Sequence, residues 1–146
     1  MVGTSEIPES RRRIMASIRS KNTKPELIVR RFLHSHGFRF RLHRTDLPGC
    51  PDVTLPKYRT IIFIHGCFWH LHRCRFSGIP KTRYEWWSSK LESNKVRDER
   101  NQSALIALGW SVELIWECEI NPHRLLRLVT DLRKLQTWKL DFRPEK

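Results

Sequence analysis

The stretch PDVTLPKYRTIIFIHGC, residues 51 to 67, reads as two strands and the turn between them. DVTL is short, and a Pro-Lys-Tyr turn leads from it into TIIFIH, residues 60 to 65. In TIIFIH the apolar side chains fall on consecutive positions, Ile61 to Ile64, so both faces of the strand are apolar. That pattern predicts a strand covered above and below, central in its sheet.

Working outward, FRFRLH, residues 38 to 43, alternates apolar and basic side chains and reads as a strand with one wet face. WSVELIWE, residues 110 to 117, is a fourth strand. Helical patterns lie on either side. Residues 9 to 20 read as a short basic helix. TKPELIVRRFLHSHG, residues 23 to 37, has Thr23 as N-cap, Pro25 in the first turn, Glu26 three residues after the cap and Gly37 beyond the end. A polar helix is expected over residues 82 to 108, closed by Gly109. PHRLLRLVTDLRKLQTW, residues 122 to 138, puts Leu125, Leu128, Val129, Leu132 and Leu135 on one face. Helices before and after a central sheet predict an α/β/α sandwich, and 146 residues without repeats or linkers predict one domain over 1–146.

Charge narrows the function. Twenty-eight Lys and Arg against fifteen Asp and Glu leave +13, spread along the chain and not gathered in a tail. A folded basic surface of this kind suits a nucleic-acid backbone. No apolar run could cross a bilayer, and the charged SEIPESRRR near the N-terminus has no signal-peptide core, so a soluble intracellular protein without a membrane partner is expected.

The four cysteines are Cys50, Cys67, Cys74 and Cys118. In a reducing compartment clustered Cys and His point to zinc. Cys67, His72 and Cys74 are close in sequence, and Cys118 follows a strand that would lie beside the one leading into Cys67. These four would close a tetrahedral structural site. Cys50 in place of His72 is the alternative ligand set, and four reduced core cysteines are the bland one.

Acidic residues are few. Asp52, opening a strand, suits a Mg²⁺ ligand, and His65 and His70 flank the end of the neighbouring strand where either could take a proton. Asp98, on the long helix, could orient one of them. Each has a plainer alternative: Asp52 as a turn residue, Glu26 as half of a capping box, Asp98 as a partner of Arg97 or Arg100. Together they favour a metal-dependent nuclease.

LPGCPDVTLPKYRTIIFIHGCFWHLHRC (47–74), NKVRDERN (94–101) and LGWSVELIWEC (108–118) closely resemble the very-short-patch-repair (Vsr) DNA mismatch endonucleases, with continuous spacing from about Arg11 to Cys118. The resemblance implies a restriction-endonuclease-like α/β/α sandwich with a central mixed sheet and a structural zinc site. It implies a Mg²⁺-dependent enzyme that nicks one strand 5′ of the thymine in T·G mismatches left by 5-methylcytosine deamination. Asp52 then matches the Mg²⁺-ligating aspartate, with the Ile64 carbonyl as second protein ligand. His70 matches the histidine that activates water and His65 a supporting one. Glu26 and Asp98 match acidic residues that hold metal-bound water and the catalytic histidine. Cys67, His72, Cys74 and Cys118 match the zinc ligands.

The resemblance further implies that Phe68, Trp69 and Trp87 wedge into DNA beside the mismatch, while Met15, on a partly separate N-terminal helix, reaches in from the other groove. The expected partner is double-stranded DNA with a T·G mismatch, bound by a monomer in the bacterial cytoplasm at the nucleoid, with mismatch-repair proteins as candidate partners. The chain departs from the wider nuclease superfamily in having IIFIHG where Glu-x-Lys usually follows the first aspartate. Two other classes compete: a sequence-tolerant nuclease of the same fold, and a zinc-stabilised DNA-binding module without catalysis.

Overall fold

A strand apolar on both faces needs neighbours on both edges and cover above and below, and in the computed structural model Thr60–His65 has all of them. The structure describes residues 22–70, 72, 74 and 78–141. The helix expected over residues 9 to 20, and Met15 with it, lies outside these. The described elements are α1 (Lys24–Ser35), β1 (Arg41–Leu42), β2 (Val53–Leu55), a 3₁₀ turn (Pro56–Tyr58), β3 (Thr60–His65), α2 (Tyr84–Ala107), β4 (Ser111–Trp116), a second 3₁₀ turn (Glu117–Glu119) and α3 (Pro122–Asp141). The strands form one mixed sheet in the order β1-β2-β3-β4. β3 pairs antiparallel with β2 and parallel with β4, with α2 as the crossover that a parallel pair requires.

All six residues of β3 are buried. Their side chains alternate between two apolar layers, as the period of two demands. Ile62 and Ile64 join Val53, Leu55 and Ile115 beneath Val29 and Leu33 of α1 and Leu125, Leu128, Val129 and Leu132 of α3. Ile61 and Phe63 face the other way, against Leu105 of α2, with Val112, Leu114, Trp110 and Leu47 packed around them. Helices therefore cover both faces of a mixed sheet, the three-layer arrangement expected. Each fully buried aliphatic side chain contributes roughly 1.5–3 kcal/mol from burial.

Local details differ from expectation in two places. FRFRLH forms a ladder only at Arg41 and Leu42, both exposed. The inward-outward alternation still holds before it, with Phe38 buried against the Tyr58 ring at 5.3 Å and Arg39 outside. The ladder stops because His43 takes a left-handed backbone, φ 45°, which no strand continues. At α1, Thr23 is the N-cap but makes no side-chain capping bond. Glu26 accepts a hydrogen bond from the Asn22 N–H at 3.1 Å, so the capping box with Thr23 is not formed. The polar helix ends as read: Gly109, at φ 91°, follows α2 in the conformation a helix stop favours. Among the described residues no helix is long and apolar enough to cross a membrane.

Two leucines on α3 test the layer assignment: Leu128 is 2% exposed and Leu126 is 52% exposed. Leu128→Ala should lower unfolding free energy by about 2–5 kcal/mol, and Leu126→Ala by no more than about 0.5 kcal/mol. Urea unfolding of the two variants checks this; equal losses would contradict the packing.

Candidate active site

The sheet's pairing gathers the polar residues at one end. The parallel register sets His65 opposite Trp116, so the chain leaves β3 and β4 side by side, towards Cys67 and Cys118. β2 runs the other way, and its first residues lie at the same end, Val53 opposite Ile62. Asp52, one residue earlier, accepts the Ile64 N–H on Oδ2 at 2.8 Å. Among the described residues three clusters of ligand-bearing side chains result, each with donor atoms within 4.8 Å of one another: Glu26, His43 and Asp52; His65, His70 and Asp98; Cys67, His72, Cys74 and Cys118.

The first two clusters line one open cleft of about 970 Å³, which Ile64, Trp69, Arg97, Asn101 and Glu117 also border. Burial pushes the Asp52 carboxyl up to about 6, the nearby Glu26 charge adds to the rise, and the Ile64 N–H opposes it. A carboxylate so placed is a poor free anion and a good cation ligand. His70 Nδ1 is hydrogen-bonded to Asp98 Oδ2. This bond fixes the imidazole with its Nδ1 proton on Asp98 and leaves Nε2 to accept a proton. His65 stacks on His70 with centroids 3.8 Å apart and planes 5° from parallel. Burial, and then the neighbouring His70, push His65 down to about 4, so it is neutral at physiological pH. Its Nδ1 is buried without a hydrogen-bond partner among the described residues.

The third cluster stands behind the turn that follows β3. Cys118 Sγ is 3.3 Å from His72 Nδ1, close to the roughly 3.6 Å edge of a tetrahedron with zinc-length bonds. The His72 ring lies flat on Trp116 at 4.2 Å. Burial pushes the Cys67 thiol up to about 12 and raises Cys118 as well. Thiolates here need a cation to supply the charge that solvent does not. Cys50 stands apart from this cluster and lines the cleft, so of the two cysteine sets the geometry assembles the one with His72.

Phe68, Trp69 and Trp87 lie together, with ring centroids 5.0, 5.4 and 5.8 Å apart, and Trp69 borders the cleft. All three are half-buried, and none belongs to either hydrophobic layer. Asn94, buried on α2, donates to the Trp69 carbonyl at 3.3 Å and ties the turn to the helix.

The sequence pattern did not single out Arg30 or His43, which meet Glu26 at the cleft. The i,i+4 spacing of Glu26 and Arg30 was a readable signal; His43 comes from another element and left none.

A family model described as DNA mismatch endonuclease Vsr matches residues 6–76. The chain is 54% identical over 114 residues to Type II nicking enzyme V.XorIIP of Xanthomonas oryzae pv. oryzae, spanning 78% of this chain and 84% of the relative. It is 42% identical over 125 residues to Type II nicking enzyme V.NmeAIP of Neisseria meningitidis, spanning 82% and 89%. It is 37% identical over 129 residues to DNA mismatch endonuclease Vsr of Escherichia coli, spanning 88% and 83%. The chain belongs to the Vsr family of DNA mismatch endonucleases. The segment matching the Vsr model holds Glu26, Asp52, His65, Cys67, His70, His72 and Cys74; α2 and β4 bring Asp98 and Cys118 to it.

Asp52 carries a pH prediction. Its folded pKa, about 6, lies above the ordinary 3.8, so between the two the folded chain holds a proton that the unfolded chain has lost. Stability therefore falls as pH rises through this window, and above it the ionised carboxylate costs up to about 3 kcal/mol, at roughly 1.4 kcal/mol per pKa unit. Without added Mg²⁺, Asp52→Asn should melt above wild type at pH 8, with the gap closing as pH falls towards 4.5. Thermal melts across pH check it; a gap independent of pH would contradict the burial of this charge.

Proposed function

We propose that this Vsr-family endonuclease is a Mg²⁺-dependent enzyme that nicks DNA 5′ of the thymine of a T·G mismatch. One observation carries the reading: Asp52 and the His70–Asp98 pair line the same cleft, bordered by Trp69, on which the half-buried Phe68 and Trp87 pack. The chain's +13 charge suits the DNA backbone, and the relatives bear the names of nicking enzymes and mismatch endonucleases.

Asp52 and the Ile64 carbonyl would hold the Mg²⁺ ion. The hydrogen bond between Asp52 Oδ2 and the Ile64 N–H leaves Oδ1 for a cation, and the burial that penalises the free carboxylate is relieved by one. When bound, the ion supplies positive charge to the scissile phosphate and its leaving oxygen. His70 Nε2 takes the proton of the attacking water while Asp98 holds the ring and stabilises the imidazolium that forms. His65, neutral and stacked on His70, supports that ring's plane without competing for the proton. Glu26 would position water beside the Mg²⁺ site.

Phe68, Trp69 and Trp87 enter the base stack beside the mismatch. Unstacking a step costs a few kcal/mol and least where pairing is already imperfect, so an apolar wedge itself discriminates. Met15, outside the described residues, reaches in from the other groove. Cys67, His72, Cys74 and Cys118 would hold a structural Zn²⁺, tying the turn after β3 to the end of β4. Residues 1–146 act as one monomeric domain in the bacterial cytoplasm at the nucleoid, with mismatch-repair proteins as candidate partners.

The decisive assay incubates the protein with Mg²⁺ and matched or T·G-mismatched duplexes of otherwise equal sequence. Selective nicking of the mismatched duplex, 5′ of its thymine, is expected. No nicking sinks the enzymatic reading; equal nicking leaves a sequence-tolerant nuclease. Asp52→Asn should lose nicking by at least about 10³-fold, of the order removal of a key catalytic electrostatic group costs, yet bind the mismatched duplex within a few-fold of wild type. Cys118→Ser should release one zinc per chain and lower the melting temperature; a protein with unchanged metal content would refute the zinc site.

A further inference from the structure

Glu26 has more company than a capping residue needs. Its Oε2 accepts the Asn22 N–H at 3.1 Å and Arg30 Nη2 at 2.7 Å, and stands 3.1 Å from His43 Nε2. Arg30 Nη2 is also 3.2 Å from that imidazole nitrogen, and Arg30 Nη1 donates to Asn22 Oδ1 at 2.7 Å. Glu26 is 2% exposed and Arg30 9%. A carboxylate, an imidazole and a guanidinium thus form a tight triangle at the wall of the cleft, next to Asp52.

Without the arginine the same residues would make a transition-metal site. Glu26, His43 and Asp52 offer two carboxylates and an imidazole, with donor atoms within 4.8 Å of one another. The 3.1 Å edge from Oε2 to Nε2 matches neighbouring ligands of a single ion, about 3 Å apart when each bond is near 2.1 Å. A set that includes imidazole suits Mn²⁺, Co²⁺ or Zn²⁺, whereas Mg²⁺ takes oxygen ligands. Arg30 opposes such an ion. Given the triangle's three sides, an ion bonded at about 2.1 Å to both Oε2 and Nε2 would lie no farther than about 4 Å from Nη2, on a group that does not deprotonate. Nor is the arginine a well-satisfied strut. Its Nε is buried without a partner among the described residues, where a purely structural side chain would have its donors matched.

We infer that Arg30 decides which cation this centre accepts: its guanidinium, buried against Glu26 and His43, bars a transition ion from that pair and leaves the oxygen ligands of Asp52 and Ile64 to a hard cation. The inference rests on the proposed role of Asp52. Arg30 is a specificity-determining residue that touches no substrate, and His43 is an anchor for Glu26 and not a ligand.

The test counts ions. The purified, zinc-loaded protein, R30Q and the double variant R30Q/H43A are dialysed against micromolar Co²⁺, and bound cobalt per chain is read with the visible spectrum. R30Q should hold one Co²⁺ more than wild type, with the weak bands of nitrogen and oxygen ligation, and the double variant should lose it. Mg²⁺-dependent nicking by R30Q should be inhibited by Zn²⁺ at concentrations at least ten-fold below those that inhibit wild type. Folded R30Q with the wild-type cobalt content overturns the inference, as does a wild-type protein already holding the extra nitrogen-ligated ion. R30M, which keeps the stem's packing, is read the same way if R30Q fails to fold. If neither folds, H43A decides by Mn²⁺ affinity measured with electron paramagnetic resonance: a value within two-fold of wild type supports the inference and a ten-fold loss overturns it. Absence of nicking by wild type with Mg²⁺ would sink the nuclease reading, while the cobalt count answers for Arg30 separately.

Discussion

The parallel pairing of β3 with β4 is the constraint on which the site depends. It levels His65 with Trp116, so that Cys67 and the turn after it stand beside Cys118, which follows Trp116. The antiparallel pairing on the other edge brings the start of β2 to the same end, and the bond from the Ile64 N–H to Asp52 Oδ2 joins the two strands there. A slip of one residue in either pairing would turn Ile61 and Phe63 into the layer of Ile62 and Ile64. Two apolar layers with helices on both sides make such a slip prohibitive, so the burial that stabilises the core also sets the spacing of the polar groups.

That end of the molecule concentrates groups that a folded protein avoids. A carboxylate raised by burial, an imidazole lowered by burial and thiols raised by burial lie within a few residues of one another. Each shift signals a charge state that solvent does not support, and bound cations would relieve two of the three. The cost is placed where the sheet is strongest: β3 is buried throughout, and Asp52, His65 and Cys67 lie at or beside its ends. Asp98 and Glu26 come from the two helical layers, so opposite faces of the sandwich each contribute one carboxylate to the cleft.

The side chains of the turn after β3 point three ways. His65 and His70 stack in the cleft wall, Cys67 meets His72 and Cys118, and Phe68 with Trp69 packs on Trp87. Much of this was legible in advance. The both-face apolar run at Ile61–Ile64 marked the central strand, and the spacing of Cys67, His72 and Cys74 marked a ligand set. The strand at residues 38–43 was less legible, since alternation records which side chains face inward but not whether an edge finds a partner. His43 leaves the ladder on a left-handed backbone that no propensity signals.

The amino-acid sequence by itself determined the strands β2 to β4, the helices among the described residues, their apolar faces, the net positive charge and the residue types of each cluster. These depend on local periodicity and on side-chain chemistry, which a linear pattern carries in full. Only the tertiary structure decided that His72 and not Cys50 completes the cysteine cluster, that Asp98 meets His70, and that Glu26 meets Arg30 and His43 instead of completing a capping box. Those contacts join residues up to 51 positions apart in the chain, from Cys67 to Cys118. They exist because strand pairing fixes the distances between elements, and no local pattern encodes a distance.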